Sequence, residues 1–466
     1  MDVVGILLSL FLLMFFAYRG FSVILFAPVF ALLAAVSQGF SPMPAYTELF
    51  MGKAVVFIKS FFPVFMLGAV FGKIMEETGL AKSIAHAIIK GLGRERAIIS
   101  VALACMILTY GGVSVFVVVF AVYPFAAALF KEADIPKRLI PGAMALGSFT
   151  ITMDALPGTP QIQNIIPTNF FGTTVYAAPV SGFLGGLLVV ALGLFYLESR
   201  RKAAQKNGEG YGSNHTNEPS KASDESQLPD WRIAVIPLLA VLVVNFLMTQ
   251  FFTWDPNLLK PFQTMKLPLV AASIKNVIAI WSLIIAVVVG ICLAIVLGAK
   301  NLTRVRLTSA LNAGAIGSLL AIMNTGSEVG YGNVIASLPG FAAISNALLG
   351  IQIGGTPLVS EAVTVTTLAG ITGSASGGLS IALDLMAKDW LLWANSIGMS
   401  PEILHRIASM ASGGMDTLPH NGAVITLLAV CGLTHRESYK DIFMITMSKT
   451  AVVFVVIAFH LATGIL

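Results

Sequence analysis

Charge is scarce in this chain. Only 11 % of its 466 residues are Asp, Glu, Lys or Arg, while 56 % are hydrophobic; soluble domains carry about 25 % charged residues. So few charges cannot clothe a water-exposed surface for a core of this size, which sets aside a soluble helical protein. Cysteine is nearly absent as well. Cys105, Cys292 and Cys431 all lie in apolar segments without metal-ligand spacing, so they read as small hydrophobes and neither a disulfide framework nor a metal site is implied. No nucleophile–base or metal constellation is visible near one interface, which argues against an enzyme, and no cofactor is called for. The net charge of +5 does not point to nucleic acid, because the basic residues sit in short loops between apolar runs rather than in one stripe.

Long apolar runs are what the chain has instead, such as Val3–Phe16, Val175–Leu197 and Asn276–Gly298. They fit spans of about 20 residues, some short or tilted, and the mean hydropathy is +0.86. The expectation is an all-α polytopic membrane protein of a bacterial inner membrane. The first run lacks a basic leader and is followed at once by Phe21–Val36, so it reads as a span rather than a signal peptide.

One segment, Glu198–Asp230, is polar and rich in Gly, Ser and Asn. It reads as a disordered linker, 198–230, between an N-terminal membrane half, 1–197, and a C-terminal half, 231–466. Arg200, Arg201, Lys202 and Lys206 place it in the cytoplasm. Arg19, Lys82–Arg96, Lys300–Arg306 and His435–Lys440 then also fall inside, and both termini outside.

The halves share an internal repeat, about 54–197 and 307–466. Met153-Asp154-Ala155-Leu156-Pro157 recurs as Met415-Asp416-Thr417-Leu418-Pro419, an offset of 416 − 154 = 262. Gly111-Gly112-Val113-Ser114 matches Gly377-Gly378-Leu379-Ser380, and Gly72-Lys73-Ile74-Met75 faces Gly332-Asn333-Val334-Ile335. The turn Lys90–Arg96 is basic, whereas its counterpart Gly350–Pro357 is uncharged. That difference predicts inverted repeats, a recurring design of secondary transporters.

Each copy predicts a re-entrant hairpin followed by a broken helix. Ala97–Thr109 has thirteen residues and reaches about 20 Å at 1.5 Å per residue, too short for a core of roughly 30 Å. The Tyr110-Gly111-Gly112 interruption is therefore a buried tip, matched in copy two by Gly373–Gly378. Pro157, Gly158 and Pro160 stop the next helix, as Pro419 and Gly422 do in copy two. Such breaks persist only in protein interior or beside a water-filled cavity. Tips and breaks are expected to meet near the midplane, where helix N-termini offer N–H groups to a carboxylate.

Asp154 and Asp416 stand at the breaks. They are candidates for binding a coupling proton, or for capping the following half-helix. Glu328, in the interruption Asn324–Glu328, is the third candidate coupling group, with a helix end near the interface as the alternative; Glu361 and Asp384 are weaker versions. Candidate substrate contacts are Gly111, Gly112 and Ser114 at the first tip, Ser376, Gly377, Gly378 and Ser380 at the second, and Thr159, Asn164, His420 and Asn421 around the breaks. The small residues among them equally serve helix packing.

Tyr110-Gly111-Gly112, Met153–Pro157, Asn324–Gly332 and Ser412–His420 together resemble the GntP family of gluconate-type permeases, over nearly the whole length. The resemblance implies proton symport of a small hydroxy- or amino-carboxylate, a scaffold with a moving transport domain, and a homodimer. Sodium-coupled relatives in the wider superfamily keep sodium open. Val113–Phe120 is apolar and offers few hydroxyl partners, which favours a short monocarboxylate such as 3-hydroxybutyrate over gluconate. An anion channel would favour a continuous polar pore with rings of charge or carbonyls; two broken-helix repeats closing on one site fit alternating access better.

Overall fold

A computed structural model of the chain describes every residue except Met1, Gly20, Asn214, 219–227, Pro268, Val270, Ala272, Lys275, Asn276 and His420. The described residues form helices and connecting turns, without a strand. In hydrocarbon this is the expected solution, since a helix satisfies its own backbone. Among the described residues, six helices are long and apolar enough to cross a bilayer. Their outward faces carry residues such as Leu187, Phe195, Val243 and Leu320, matching lipid rather than water.

Two helices, α1 (Asp2–Tyr18) and α2 (Val23–Ser37), precede the first repeat. The repeat then runs through α3 (Met51–Glu77), a short amphipathic α4 (Leu80–Leu92), and a hairpin of α5 (Ala97–Tyr110) and α6 (Val115–Glu132). A broken crossing follows, with α7 (Ile140–Ser148), the single turn Ile151–Asp154, an irregular stretch and α8 (Ile162–Phe171); α9 (Pro179–Lys206) closes the set. Two spans intervene, α10 (Ile236–Gln250) and α11 (Ile278–Leu297). The same order then recurs: α12 (Arg304–Ser337), α13 (Phe341–Leu349), a hairpin of α14 (Leu358–Thr372) and α15 (Ala375–Ser396), a broken crossing of α16 (Pro401–Ser412) and α17 (Gly422–Cys431), and α18 (His435–Thr463).

With each hairpin returning to the side it entered, a set crosses three times, an odd number, and α10 and α11 add two crossings. The second set therefore starts on the opposite side from the first, which is the inversion that the loop charges predict.

The structural match between the hairpins differs from the one expected from Gly-Gly. The helix-starting residues at the tips are Ser114 and Ser374, an offset of 374 − 114 = 260 that equals 332 − 72 = 260 in the long helices. Gly377, Gly378 and Ser380 thus lie inside the first turns of α15, not at the tip. Left-handed backbone at Gly112 (φ 93°) and Gly373 (φ 65°) makes the tip turns, a conformation open to glycine and costly for other residues. α12 likewise runs unbroken through Asn324–Glu328; the polar run makes a polar face without interrupting the ladder.

α3 and α12 pack along each other and, with α2, α10 and α11, form one side of the molecule; the hairpins, broken crossings, α9 and α18 form the other.

The linker begins later than its composition predicts. α9 stays helical to Lys206, and residues 207–213 and 215–218 dock as a strap across the first hairpin's exit and the end of α17. Arg138 holds Glu209 through two bonds of 2.7 and 2.9 Å, and Lys137 holds Glu218 at 2.8 Å. Asn217 donates to the Val430 carbonyl and Thr216 to that of Gly432. Residues 219–227 lie outside the described residues.

Candidate transport site

The tips are tied to the breaks by local hydrogen bonds. Tyr110 donates to the Pro157 carbonyl at 2.9 Å, and Gln161 Nε2 to that of Thr109 at 2.8 Å. In copy two, Asn421 Nδ2 donates to the Gly373 carbonyl at 2.8 Å. Both tips and both breaks border one cavity of about 640 Å³, closed on its other side by α3 and α12. Among the described residues, no lysine or arginine stands on its wall.

Of the residues singled out by sequence, Gly112, Ser114, Ser376, Asn421, Glu328 and Asp416 border this cavity. The others among the described residues are placed elsewhere. Gly111 packs against Leu238, and Gly378 lies so close to Ala369 that an added Cβ would fall 2.1 Å from its backbone nitrogen. Thr159 donates to the Thr152 carbonyl, and Ser380 to that of Ser376. Asn164 is fully buried behind the first break. Its Nδ2 donates to the carbonyls of Thr159 and Val175, while its Oδ1 lies 3.1 Å from Arg406 and 3.2 Å from His405. Its amide is saturated by the fold. Glu361 is buried away from the cavity, Asp384 pairs with Lys53 of α3 at 2.7 Å, and His420 lies outside the described residues.

Neither repeat-related aspartate caps the half-helix that follows it. Gln161 stands at the start of α8, and Asn421 caps α17, its Oδ1 accepting from Ala423 and Val424 at 2.7 and 3.0 Å. The aspartates instead share a cation that sequence reasoning missed. Lys449, on α18, lies 3.2 Å from Asp154 Oδ2 and 3.5 Å from Asp416 Oδ1, and donates to the Phe149 carbonyl. All three side chains are buried. Asp416 faces the cavity, while Asp154 and Lys449 lie behind it. Gly413 makes room for the cluster: a Cβ there would sit 1.8 Å from Asp154 Oδ2 and 2.4 Å from Lys449 Nζ.

Arg406, also buried and also missed, donates to the carbonyls of Ala177 and Asp154. It braces the first break without reaching the cavity. A lysine inside the apolar run of α18 was the signal available for Lys449, since an intramembrane charge demands a partner.

Glu328 leans from α12 onto the first turn of α15. A Cβ at Gly377 would fall 1.5 Å from its Oε2. The carboxylate thus lies against a helix N-terminus, where negative charge is favoured. Thr325, one turn earlier on α12, meets Ser376 with hydroxyl oxygens 3.3 Å apart.

The profile described as GntP family permease matches residues 1–376. The chain belongs to the GntP permease family. It is a transporter, not an enzyme. This GntP-family chain is 54 % identical over 481 aligned residues to an uncharacterized transporter, YxjC, of Bacillus subtilis strain 168, covering 100 % of both chains. It is 29 % identical to an uncharacterized transporter of Haemophilus influenzae over 38 % of this chain and 40 % of that one. Among solved structures, the fold is similar to that of the YdaH transporter of Alcanivorax borkumensis (TM-score 0.57, 16 % identity, 87 % and 88 % of the two chains). It is also similar to Neisseria gonorrhoeae MtrF, described as belonging to a class of antimetabolite efflux pumps (TM-score 0.54, 14 % identity, 92 % and 93 %).

Proposed function

We propose that this permease takes up a small organic monocarboxylate, a short hydroxy acid such as 3-hydroxybutyrate or a gluconate-like sugar acid, together with a proton. The observation that carries the reading is the Asp154–Lys449–Asp416 cluster at the edge of the cavity. One ammonium cannot neutralise two carboxylates. With both aspartates ionised the cluster carries one net negative charge in a buried site, where unpaired charge is costly. One proton on either aspartate restores neutrality, so the cluster is suited to exchanging one proton per cycle. Asp416, on the cavity side, is the group that substrate approaches.

Hairpins and broken crossings then form the moving domain and α3 and α12 the scaffold it moves against, in an elevator-like cycle within a homodimer. In the bacterial inner membrane the strap faces the cytoplasm and both termini face outward. A sodium-coupled cycle would need Lys449 to yield the space between the carboxylates.

Proteoliposomes decide between the couplings. Uptake of labelled 3-hydroxybutyrate is followed under an imposed pH gradient and, separately, a sodium gradient, with gluconate, lactate, succinate and D-serine as competitors. The expected result is saturable accumulation driven by pH, lost in Asp416→Asn while exchange persists. Accumulation with sodium alone, or unchanged accumulation by Asp416→Asn, would overturn proton coupling at this cluster.

A further inference from the structure

Four helices begin at the cavity, and the two halves finish them differently. In copy two, Ser374 caps α15, accepting from the Gly377 amide at 3.1 Å, and Asn421 caps α17. In copy one neither α6, beginning after Ser114, nor α8, beginning after Gln161, has a side-chain cap. Copy two also brings its own carboxylate to this region, because Glu328 lies against the first turn of α15. At the repeat offset of 260, the position matching Glu328 is Gly68. Gly68 faces the cavity, and a Cβ added there would meet nothing within 4 Å. Copy one therefore has bare helix N-termini and open space where copy two has caps and a carboxylate.

We propose that the carboxylate of the substrate binds in this first-half subsite, between Gly68 and the N-termini of α6 and α8, as the counterpart of the Glu328 carboxylate in the second half. This rests on the transporter reading above and names where its substrate's charge is held. Gln163 is a second, independent pointer. It borders the same cavity, is nine-tenths buried, and its Oε1 has no hydrogen-bond partner. The amide oxygen accepts from a hydroxyl, so an acid with a hydroxyl group within reach of its carboxylate fits this subsite. A site with a buried acceptor discriminates strongly against an analogue that leaves it unpaired. Glu328, whose Oε2 also lacks a partner, occupies the matching place in copy two and leaves no room for a second anion there.

The test uses purified full-length protein and binding of 3-hydroxybutyrate and gluconate. Gly68→Glu supplies an internal carboxylate to the subsite and is compared with Gly317→Glu, which puts the same charge on the cavity wall from α12, where a Cβ also has open space. The expected result is at least a 100-fold loss of affinity in Gly68→Glu and less than tenfold in Gly317→Glu. Equal losses in both, or wild-type binding by Gly68→Glu, would overturn the subsite.

Gly68→Cys, in a background with Cys292 replaced by serine, keeps the question answerable if the glutamate variant misfolds. Saturating 3-hydroxybutyrate or gluconate is expected to slow its labelling by a sulfonated thiol reagent at least tenfold, and unchanged labelling refutes the placement. Gln163→Leu is expected to erase the preference for 3-hydroxybutyrate over butyrate, and a retained preference would remove Gln163 from the site. If wild-type protein binds none of these acids, the substrate class of the transporter reading fails, a result separate from every comparison between variants.

Discussion

Lys449 and Asp154 come from different halves of the chain, yet their charged groups lie 3.2 Å apart inside the membrane domain, and the same ammonium reaches Asp416 at 3.5 Å. The two Asp-x-Leu-Pro breaks are thereby fastened through one residue of the last helix. The two repeat-related aspartates share a single cation.

Removing that cation takes from both buried carboxylates their ion-pair partner. Breaking a buried pair by deleting one partner costs about 3–5 kcal/mol, so Lys449→Met is expected to lower the melting temperature in detergent by several degrees and to abolish uptake. Adding Asp154→Asn to Lys449→Met removes one stranded charge and is expected to recover part of the lost stability without recovering accumulation. Melting curves by intrinsic fluorescence check this; equal melting of Lys449→Met and wild type would show that the pair contributes nothing.

The contact between Thr325 and Ser376, with oxygens 3.3 Å apart, joins the proposed scaffold to the proposed moving hairpin. A Thr325→Cys, Ser376→Cys double variant, with Cys105, Cys292 and Cys431 replaced by alanine, is placed to form a disulfide. Oxidation is expected to stop transport and reduction to restore it. Transport that continues with the bond formed would mean that α15 does not move against α12.

The strap divides the linker into two parts with different expected tolerances. Deleting 219–227 is expected to leave transport near wild type. Deleting 209–218 removes the Glu209–Arg138 and Glu218–Lys137 pairs and is expected to loosen the turn between α17 and α18, seen as faster hydrogen exchange there. The pH dependence has a definite sign. The hydrogen-bonded Arg138 guanidinium holds the Glu209 carboxyl below its usual range. A group lowered in this way stabilises docking above its unfolded value, near 4.3, and loses that contribution as pH falls through the folded one. Protection factors across 209–218, the exchange measured against the free-peptide rate at the same pH, should therefore match at pH 7 and pH 5.5 and fall only below about pH 4; a fall already at pH 6 would assign the docking to other groups.

Composition and local backbone chemistry determined much by themselves. Long apolar runs can only be helices in lipid, Gly112 and Pro157 must interrupt them, and the order of these signals, repeated at a nearly constant offset, gives two broken-helix sets. Asp154 and Asp416 were legible as unusual because a carboxylate in such surroundings needs a reason. What they pair with was not legible. Lys449 is 449 − 154 = 295 residues from one and 449 − 416 = 33 from the other, and an ion pair depends on distance in space, which no local pattern encodes. The same holds for Asn164, whose amide the fold saturates with backbone carbonyls, Arg406 and His405, and for Gly377, which matched a tip by sequence and became the floor beneath Glu328. Helix breaks are written in the residues that make them; which side chains then face the cavity, and which are spent holding the break together, only the packing of the two halves decides.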